Sequence, residues 1–457
     1  MSLTLYKGLS PLADRYGQLV APLSDYLSES ALIKYRVEIE IRYLLKLSEF
    51  GVVRKLNKVE ISNLIKIIKQ LYDQDIQKAK EFEEVVHHDV KAIELLLREK
   101  FEEIKLNDLI EKIHYCLTSE DVNNLAYRLM LKYSVSEVLM KELKNFIDEL
   151  VRLSIETKST VMMARTHGQD AVPTTLGKEI VVYAVRLFKL YKKLASNKLT
   201  GKLGGAIGGW NAHKYSESQI DWMRFSKEFI ESLDLEFNEF TTQINPYDDV
   251  VEQLSLIHQL NSIMIDFNQD MWRYISDDWI KQKPDSKSVG SSTMAQKVNP
   301  INFENSEGNA QIANGLIEAL NRTLPISRLQ RDLSNSTIIR NIGPAIGHTL
   351  IVIKSASKGF SKIHPNFDEI ESHLTSNWSI LAEPLQILLR KNNIENSFNL
   401  VKNQMMGKKL SEDDWKTMID KMNIPQKVKS EILKLNPKKY VGYCENIVDD
   451  AVKFIKF

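Results

Sequence analysis

Glycine and proline are scarce in this 457-residue chain, at 18 and 12 residues, and they are unevenly placed. Neither occurs from Val52 to His167, a run of 116 residues. Sheets need turns, and turns favour these two residues. The gap therefore argues against a sheet and predicts helices joined by short polar links. Cysteine is rarer still. Cys116 and Cys444 are the only two, which gives no disulfide framework and no C-x-x-C metal spacing, and points to a reducing compartment. An excess of one charge is also missing, with 61 Lys and Arg against 60 Asp and Glu. That balance argues against a nucleic-acid or membrane-surface binder, which needs a basic surplus. It leaves room for a small anionic substrate, which needs only a few local cations. No apolar run approaches the roughly 18–20 residues of a membrane span. The opening MSLTLYKGLSPLADRYG has no signal-peptide apolar core. A soluble, cytoplasmic protein is expected.

What is present is helical periodicity. Leu139, Leu143, Phe146, Leu150 and Leu153 alternate steps of four and three, the seam of a helix packed in a bundle. Tyr247 to Lys283 is a second stretch without glycine or proline, bracketed by Pro246 and Pro284. As one helix it would span roughly 55 Å at ~1.5 Å per residue, which predicts a long bundle. The expected fold is all-α in three parts: an N-terminal helical domain over 1–115, a central long-helix bundle over 116–365 and a C-terminal helical domain over 366–457. The glycine cluster GKLGGAIGG (Gly201 to Gly209) lacks the G-K-[ST] ending of a phosphate loop and follows no clear strand. It reads as a close-packed turn between two helices.

Five segments carry polar groups that packing does not ask for. SVGSSTMAQKVNP (Ser288 to Pro300) offers successive backbone N–H groups at Gly290, Ser291 and Ser292 with a lysine nearby. It is either a solvated linker or an oxyanion-holding loop that could activate a serine hydroxyl. In ARTHGQDAVPTT, His167 is either a helix C-terminal residue capped by Gly168 or a general acid or base. In VVHHDVKAIE, His87 and His88 are adjacent on a presumed helix, share no face and make a poor metal pair. In HYCLTSEDVNN, Thr118 and Asp121 fit a helix capping box, and Glu120, Asn123 and Asn124 add polar groups beyond what a cap needs. In LQRDLSNSTIIRN, Arg331 and Arg340 flank Ser336, a set suited to phosphate or carboxylate, or else a solvated helix face.

Taken in order, the motifs resemble a known family. GSSTMAQKVNP is similar to the fumarase/aspartase superfamily signature Gly-Ser-Ser-x-Met-Pro-x-Lys-x-Asn-Pro. SPLADRYG, HDVKAIE, TSEDVNN, RTHGQ, TTQINP, NFENSEGN, QRDLSNSTIIRN and LAEPLQ resemble adenylosuccinate lyases, in their longer bacterial form, from about Ser10 almost to the C-terminus. The resemblance implies a central helical bundle that assembles as a homotetramer, with active sites shared between subunits. It also implies β-elimination of fumarate from adenylosuccinate, giving AMP, and from SAICAR, giving AICAR, with no metal and no cofactor. By motif match, Ser291 is the base, Lys297 and Asn299 stabilise the developing charge, and His167 protonates the leaving nitrogen. Arg15, Tyr16, His87, His88, Asp89, Thr118, Ser119, Gln243, Ser292, Asn305, Arg331, Ser336, Thr337, Ile338, Ile339 and Arg340 match positions that line the substrate.

Four positions depart from the family pattern. Ala295 and Gln296 replace Pro-His in the signature, Asp170 replaces a proline after His-Gly-Gln, and His87 stands where asparagine is common. Loss of the proline removes a φ restraint. A carboxylate at 170 would favour a protonated imidazole if it lay close to His167. Gln296 occurs in argininosuccinate lyases, so a sister lyase acting on argininosuccinate, aspartate or malate is one alternative. A non-catalytic helical oligomer is another.

Overall fold

A computed structural model describes residues 8–283, 294 and 296–457 of the chain. Helices begin where the sequence supplies caps. Ser28 accepts the Ala31 N–H at 3.1 Å at the start of α1 (Glu29–Glu49). His88 does the same through Nδ1 for α2 (Asp89–Glu103), and Asp121 reaches back to the Thr118 N–H at 2.8 Å in the first turn of α3 (Ser119–Tyr133). The long helices follow: α4 (Met140–Glu156), then after a hairpin of β1 (Val161–Thr166) and β2 (Gln169–Thr175), α5 (Leu176–Ser196) and α6 (Asp248–Ser276). Beyond α6 come β3 (Ile280–Gln282), α7 (Ile301–Thr323), α8 (Ile342–Phe360) and β4 (Ile363–Pro365). Shorter helices fill the C-terminal segment.

The chain forms two compact units. The first comprises Met1–Glu142, Tyr191–Ser262 and Gly308–Lys354; the second comprises Leu143–Leu190, Ile263–Glu307 and Ser355–Phe457. In the first, Val37, Ile41, Leu44 and Leu47 bury one stripe of α1. Tyr43 meets Phe225 and Phe229 edge-on at 5.5 and 5.8 Å and donates its O–H to the Tyr115 carbonyl at 2.9 Å. Polar groups then fix register. Asn261 on α6 donates to Asn314 on α7 at 3.1 Å and to Thr349 on α8 at 3.0 Å, all three buried. In the second unit Phe267 is the hub, edge-on to Phe146 and Tyr183 at 5.4 Å each and to Phe303 at 6.1 Å. Each such ring contributes about 1.5–3 kcal/mol by burial.

The helical expectation holds, and Leu139, Leu143, Phe146 and Leu150 of the predicted seam are fully buried. Three things differ. The stretch from Tyr247 does not run on as one helix: α6 has 29 residues and stops at Ser276. Asp278 takes φ 57°, and the chain enters β3, which pairs antiparallel with β4. Burial outweighs helix continuation there, since Trp279 and Ile280 are 3% and 1% exposed. Second, the glycine- and proline-free run contains β1. Third, His87 and His88 are not on a helix. His87 ends the helix Asp73–Val86 in the left-handed conformation, φ 54°, and His88 is the N-cap of the next.

The glycine cluster is a close-packed turn, and its anchor is Asp121. This buried carboxylate accepts the Gly204 N–H at 2.9 Å and the Gly205 N–H at 3.1 Å, and pairs with the buried Lys202 ammonium at 2.8 Å. Gly208 is required by close approach. Its φ is 76°, and a Cβ there would sit 2.6 Å from the Thr241 and Thr242 carbonyl oxygens. Among the described residues no helix is long and apolar enough to cross a membrane.

Candidate active site

The first unit gathers guanidinium groups, each held by a carboxylate. Arg331 donates through Nη1 to Gln243 Oε1 at 3.0 Å and lies 3.0 Å from Glu120 Oε1 through Nη2, with Ser336 Oγ at 3.5 Å. Gln243 in turn donates to the Ala206 carbonyl at 2.9 Å, so the glycine turn is tied into the same network. Arg331 and Gln243 line an open cleft of about 390 Å³ with Ala206 and Ile207. The buried Arg331 Nε–H has no partner among the described residues.

Asp89 organises the second group. It accepts from Arg36 Nη2 at 2.5 Å and lies 3.4 Å from Arg340 Nη2, while Arg340 Nη1 lies 3.3 Å from Glu29. Arg36 is buried and also donates to Asn123 Oδ1 at 2.9 Å. Burial alone would raise the Asp89 carboxyl. The charge and hydrogen bond of Arg36 outweigh it, with Arg340 adding to the effect, and hold it below the usual carboxylate range. The outcome for Glu120 is opposite. Burial raises its carboxyl above the usual range despite Arg331 and Lys202 nearby.

The remaining first-unit candidates lie on several elements. His88 Nε2 lies 3.4 Å from Ser119 Oγ, which joins the His88-Asp89 corner to the start of α3 beside Thr118. His87 is exposed. The Arg15 guanidinium lies over the Tyr16 ring at 5.9 Å. Ser336 to Ile339 fall in a short helix, Ser334–Ile339, with Arg340 as its C-cap. Thr337 is exposed and Ile338 half-buried, but the Ile339 side chain is 1% exposed and belongs to the core.

The second unit carries the candidates for proton transfer and charge stabilisation. His167 is neither a helix end nor capped by Gly168. The two residues form the tip of the β1–β2 hairpin, at φ 53° and 74°. Both left-handed positions match the two-residue turn that suits the strand twist. The imidazole is exposed, with no hydrogen bond or ion pair among the described residues. The strand residues just inside the turn are held instead. Arg165 lies over the Trp279 ring at 5.1 Å and 3.4 Å from Asp277, and the Trp279 indole donates to His373 Nδ1 at 2.5 Å. Asp170 accepts from Asn377 at 3.0 Å and lies 3.9 Å from the Lys409 ammonium. Its carboxylate is therefore engaged by the C-terminal segment.

Lys297 is exposed, and its N–H donates to the Met294 carbonyl at 3.1 Å. Asn299 precedes α7, and Asn305 on that helix donates to Ser355 at 2.8 Å. Ser291, Ser292 and Ala295 lie outside the described residues. Among the described residues no group of three or more His, Cys, Asp or Glu side chains is placed to hold a metal.

Motif reading missed the partners that hold these groups. Arg36 and Trp279 stand in stretches with no motif, and Glu120 gave only the weak signal of an extra polar residue after a cap.

Comparison with known proteins converges on one family. Residues 14–315 match the family described as Lyase, and residues 327–441 match Adenylosuccinate lyase C-terminal. The chain is 41% identical to the adenylosuccinate lyase of Haemophilus influenzae, over 98% of this chain and 99% of the relative. It is 42% identical to that of Dictyostelium discoideum, over 95% and 96%. A fumarate lyase from Mesorhizobium sp. BNC1 shares the fold, with a TM-score of 0.77 over 95% of this chain and 97% of that one at 14% identity. The chain belongs to the adenylosuccinate lyase family, within the fumarase/aspartase superfamily.

Proposed function

We propose that this chain is a C–N lyase that eliminates fumarate from adenylosuccinate, leaving AMP, and from SAICAR, leaving AICAR. The observation that carries the reading is the near full-length similarity to adenylosuccinate lyases, with the candidate chemical residues at the motif positions. The reaction removes a proton from the carbon beside a succinyl carboxylate, and charge passes into that carboxylate as an aci-dianion. Ser291, as its alkoxide, takes the proton and becomes the hydroxyl. Lys297 and Asn299 hold the dianion, a preorganised electrostatic role. His167 gives a proton to the nitrogen as the C–N bond breaks, and the double bond of fumarate forms. Arg15, Arg331 and Arg340 hold phosphate and carboxylate oxygens, and His88, Thr118, Ser119, Gln243, Asn305 and Ser336 complete the surround. Working as a homotetramer, the chain shares its sites between subunits. The exposure of His167 supports this, as do the exposed apolar residues Trp272 on α6 and Ile301 and Ile312 on α7.

The purified chain is expected to release fumarate from both ribotides, and to give none from argininosuccinate, aspartate or malate. Release from one of the latter three alone would assign it to a sister reaction. Nucleotide binding without fumarate release would make it a binding protein.

A further inference from the structure

Resting on that reading, we propose that Glu120 is a positioning residue of the lyase reaction: its carboxylate fixes the Arg331 guanidinium so that the Nε–H meets an anionic oxygen of the substrate. Arg331 is anchored on three sides, by Glu120 at 3.0 Å, Gln243 at 3.0 Å and Ser336 at 3.5 Å. Of these only Glu120 carries charge, and its side chain is 5% exposed against 19% for Arg331. All three contacts use the two terminal nitrogens, and the buried Nε–H is left without a partner among the described residues. A buried N–H of a charged group without an acceptor is costly. In this proposal an oxyanion of the substrate, entering from the cleft that Arg331 lines, satisfies it.

Glu120 has little else to do there. It stands in the first turn of α3, where a carboxylate does favour the helix dipole, but that role needs no burial and no guanidinium. Lys202 and Arg128 also face it and Asn123 hydrogen-bonds to it, yet Lys202 is bonded to Asp121 and Gly205, Arg128 to Asp249, and Asn123 carries no charge. Arg331 is thus the cation that the carboxylate pairs with directly. A neutralised, fixed guanidinium gives up long-range attraction and gains direction, which suits a site that must hold one end of a substrate while the other end reacts.

The test is a double-mutant cycle read in KM and kcat for adenylosuccinate. Glu120→Ala is expected to raise KM about tenfold or more, with kcat within about threefold, as for loss of a hydrogen bond to a charged group. Glu120→Gln keeps an acceptor at the same reach and is expected to recover most of that loss. Arg331→Ala/Glu120→Ala is expected to be no worse than Arg331→Ala, because Glu120 acts through Arg331. Inhibition by AMP and by fumarate, measured separately, tells whether the bound oxygen is a phosphate or a carboxylate, and weakening of either supports the assignment. Should Glu120→Ala fail to fold, Glu120→Asp carries the same test, since it keeps the charge and withdraws it by one methylene. Single losses that multiply in the double variant, or an unchanged KM in Glu120→Ala, would overturn the proposal. If Arg331→Ala itself leaves KM unchanged, the site assignment under it falls. If the unaltered chain releases no fumarate, the functional reading falls first.

Discussion

The guanidinium groups of the first unit and the imidazole of the second are held in opposite ways. Arg331 meets the buried Glu120, and Arg340 meets Asp89, which the buried Arg36 also holds. His167 stands on a turn, exposed, while Arg165 and Asp170, which pair just inside that turn, are anchored by side-chain contacts. Groups that bind a polyanion benefit from being fixed before it arrives, because ordering long side chains at the moment of binding costs affinity. A group that moves a proton needs a reachable position and a setting completed around the substrate. In the proposed assembly that setting comes from neighbouring subunits and the signature loop.

The largest effect that could break this contrast is on His167. A left-handed position tolerates asparagine, so His167→Asn removes the imidazole and spares the turn. Turnover is expected to fall by about 10²–10⁴, with KM and thermal midpoint nearly unchanged. A large fall in the midpoint would show that the imidazole is structural. Second is Arg36→Met, which leaves Asp89 and Asn123 without their buried donor. Breaking a buried pair costs about 3–5 kcal/mol, measurable by urea unfolding, and KM should rise because Asp89 also faces Arg340. The substitution changes pH dependence too. The Asp89 carboxyl is held below its ordinary value of 3.8, so its contribution is complete above 3.8 and lost only as pH falls through the lower folded value. In Arg36→Met that acid-side loss should vanish.

A third and smaller effect concerns His114, whose Nδ1 lies 2.6 Å from Glu40 under α1. Burial opposes the charged imidazole, but the Glu40 carboxylate outweighs it, and the pKa is raised above 6.5. The contribution is full below 6.5 and fades as pH rises through the folded value, so unfolding free energy should decline on the alkaline side. His114→Asn, at φ 56°, should flatten that decline.

How much of this was legible in the sequence follows from the reach of each signal. Helices were legible because the absence of glycine and proline and the spacing of Leu139, Leu143, Phe146 and Leu150 are local properties. The junction at His87-His88-Asp89 was legible as a motif but not as a helix boundary, since histidine is an unusual residue for both a left-handed cap and an N-cap. The β1–β2 hairpin was hidden because His-Gly is a less familiar two-residue turn than Asn-Gly. The end of α6 was hidden because burial of Trp279 decides it. Least legible were the pairs Arg36–Asp89 and Glu120–Arg331, in which the fold brings distant residues together and neither partner has a pattern of its own.

The smallest expected effect sharpens the comparison at a position where this chain departs from its family. If Asp170 acted on the chemistry, removing its charge would shift the pH–kcat profile. If it only anchors the strand beside the turn, removal would loosen a peripheral tie. The geometry favours the second, because the carboxylate is taken by Asn377 at 3.0 Å and faces Lys409 at 3.9 Å. The lysine is 77% exposed, and an ion pair that open to water contributes little. Asp170→Asn keeps an oxygen able to accept from Asn377 and discards the charge. It should lower stability by no more than about 0.5 kcal/mol and leave the pH–kcat profile in place. A displaced profile with unchanged stability would instead make this carboxylate a participant in proton transfer, and the division between a fixed binding unit and an open chemical one would have to be redrawn at the hairpin.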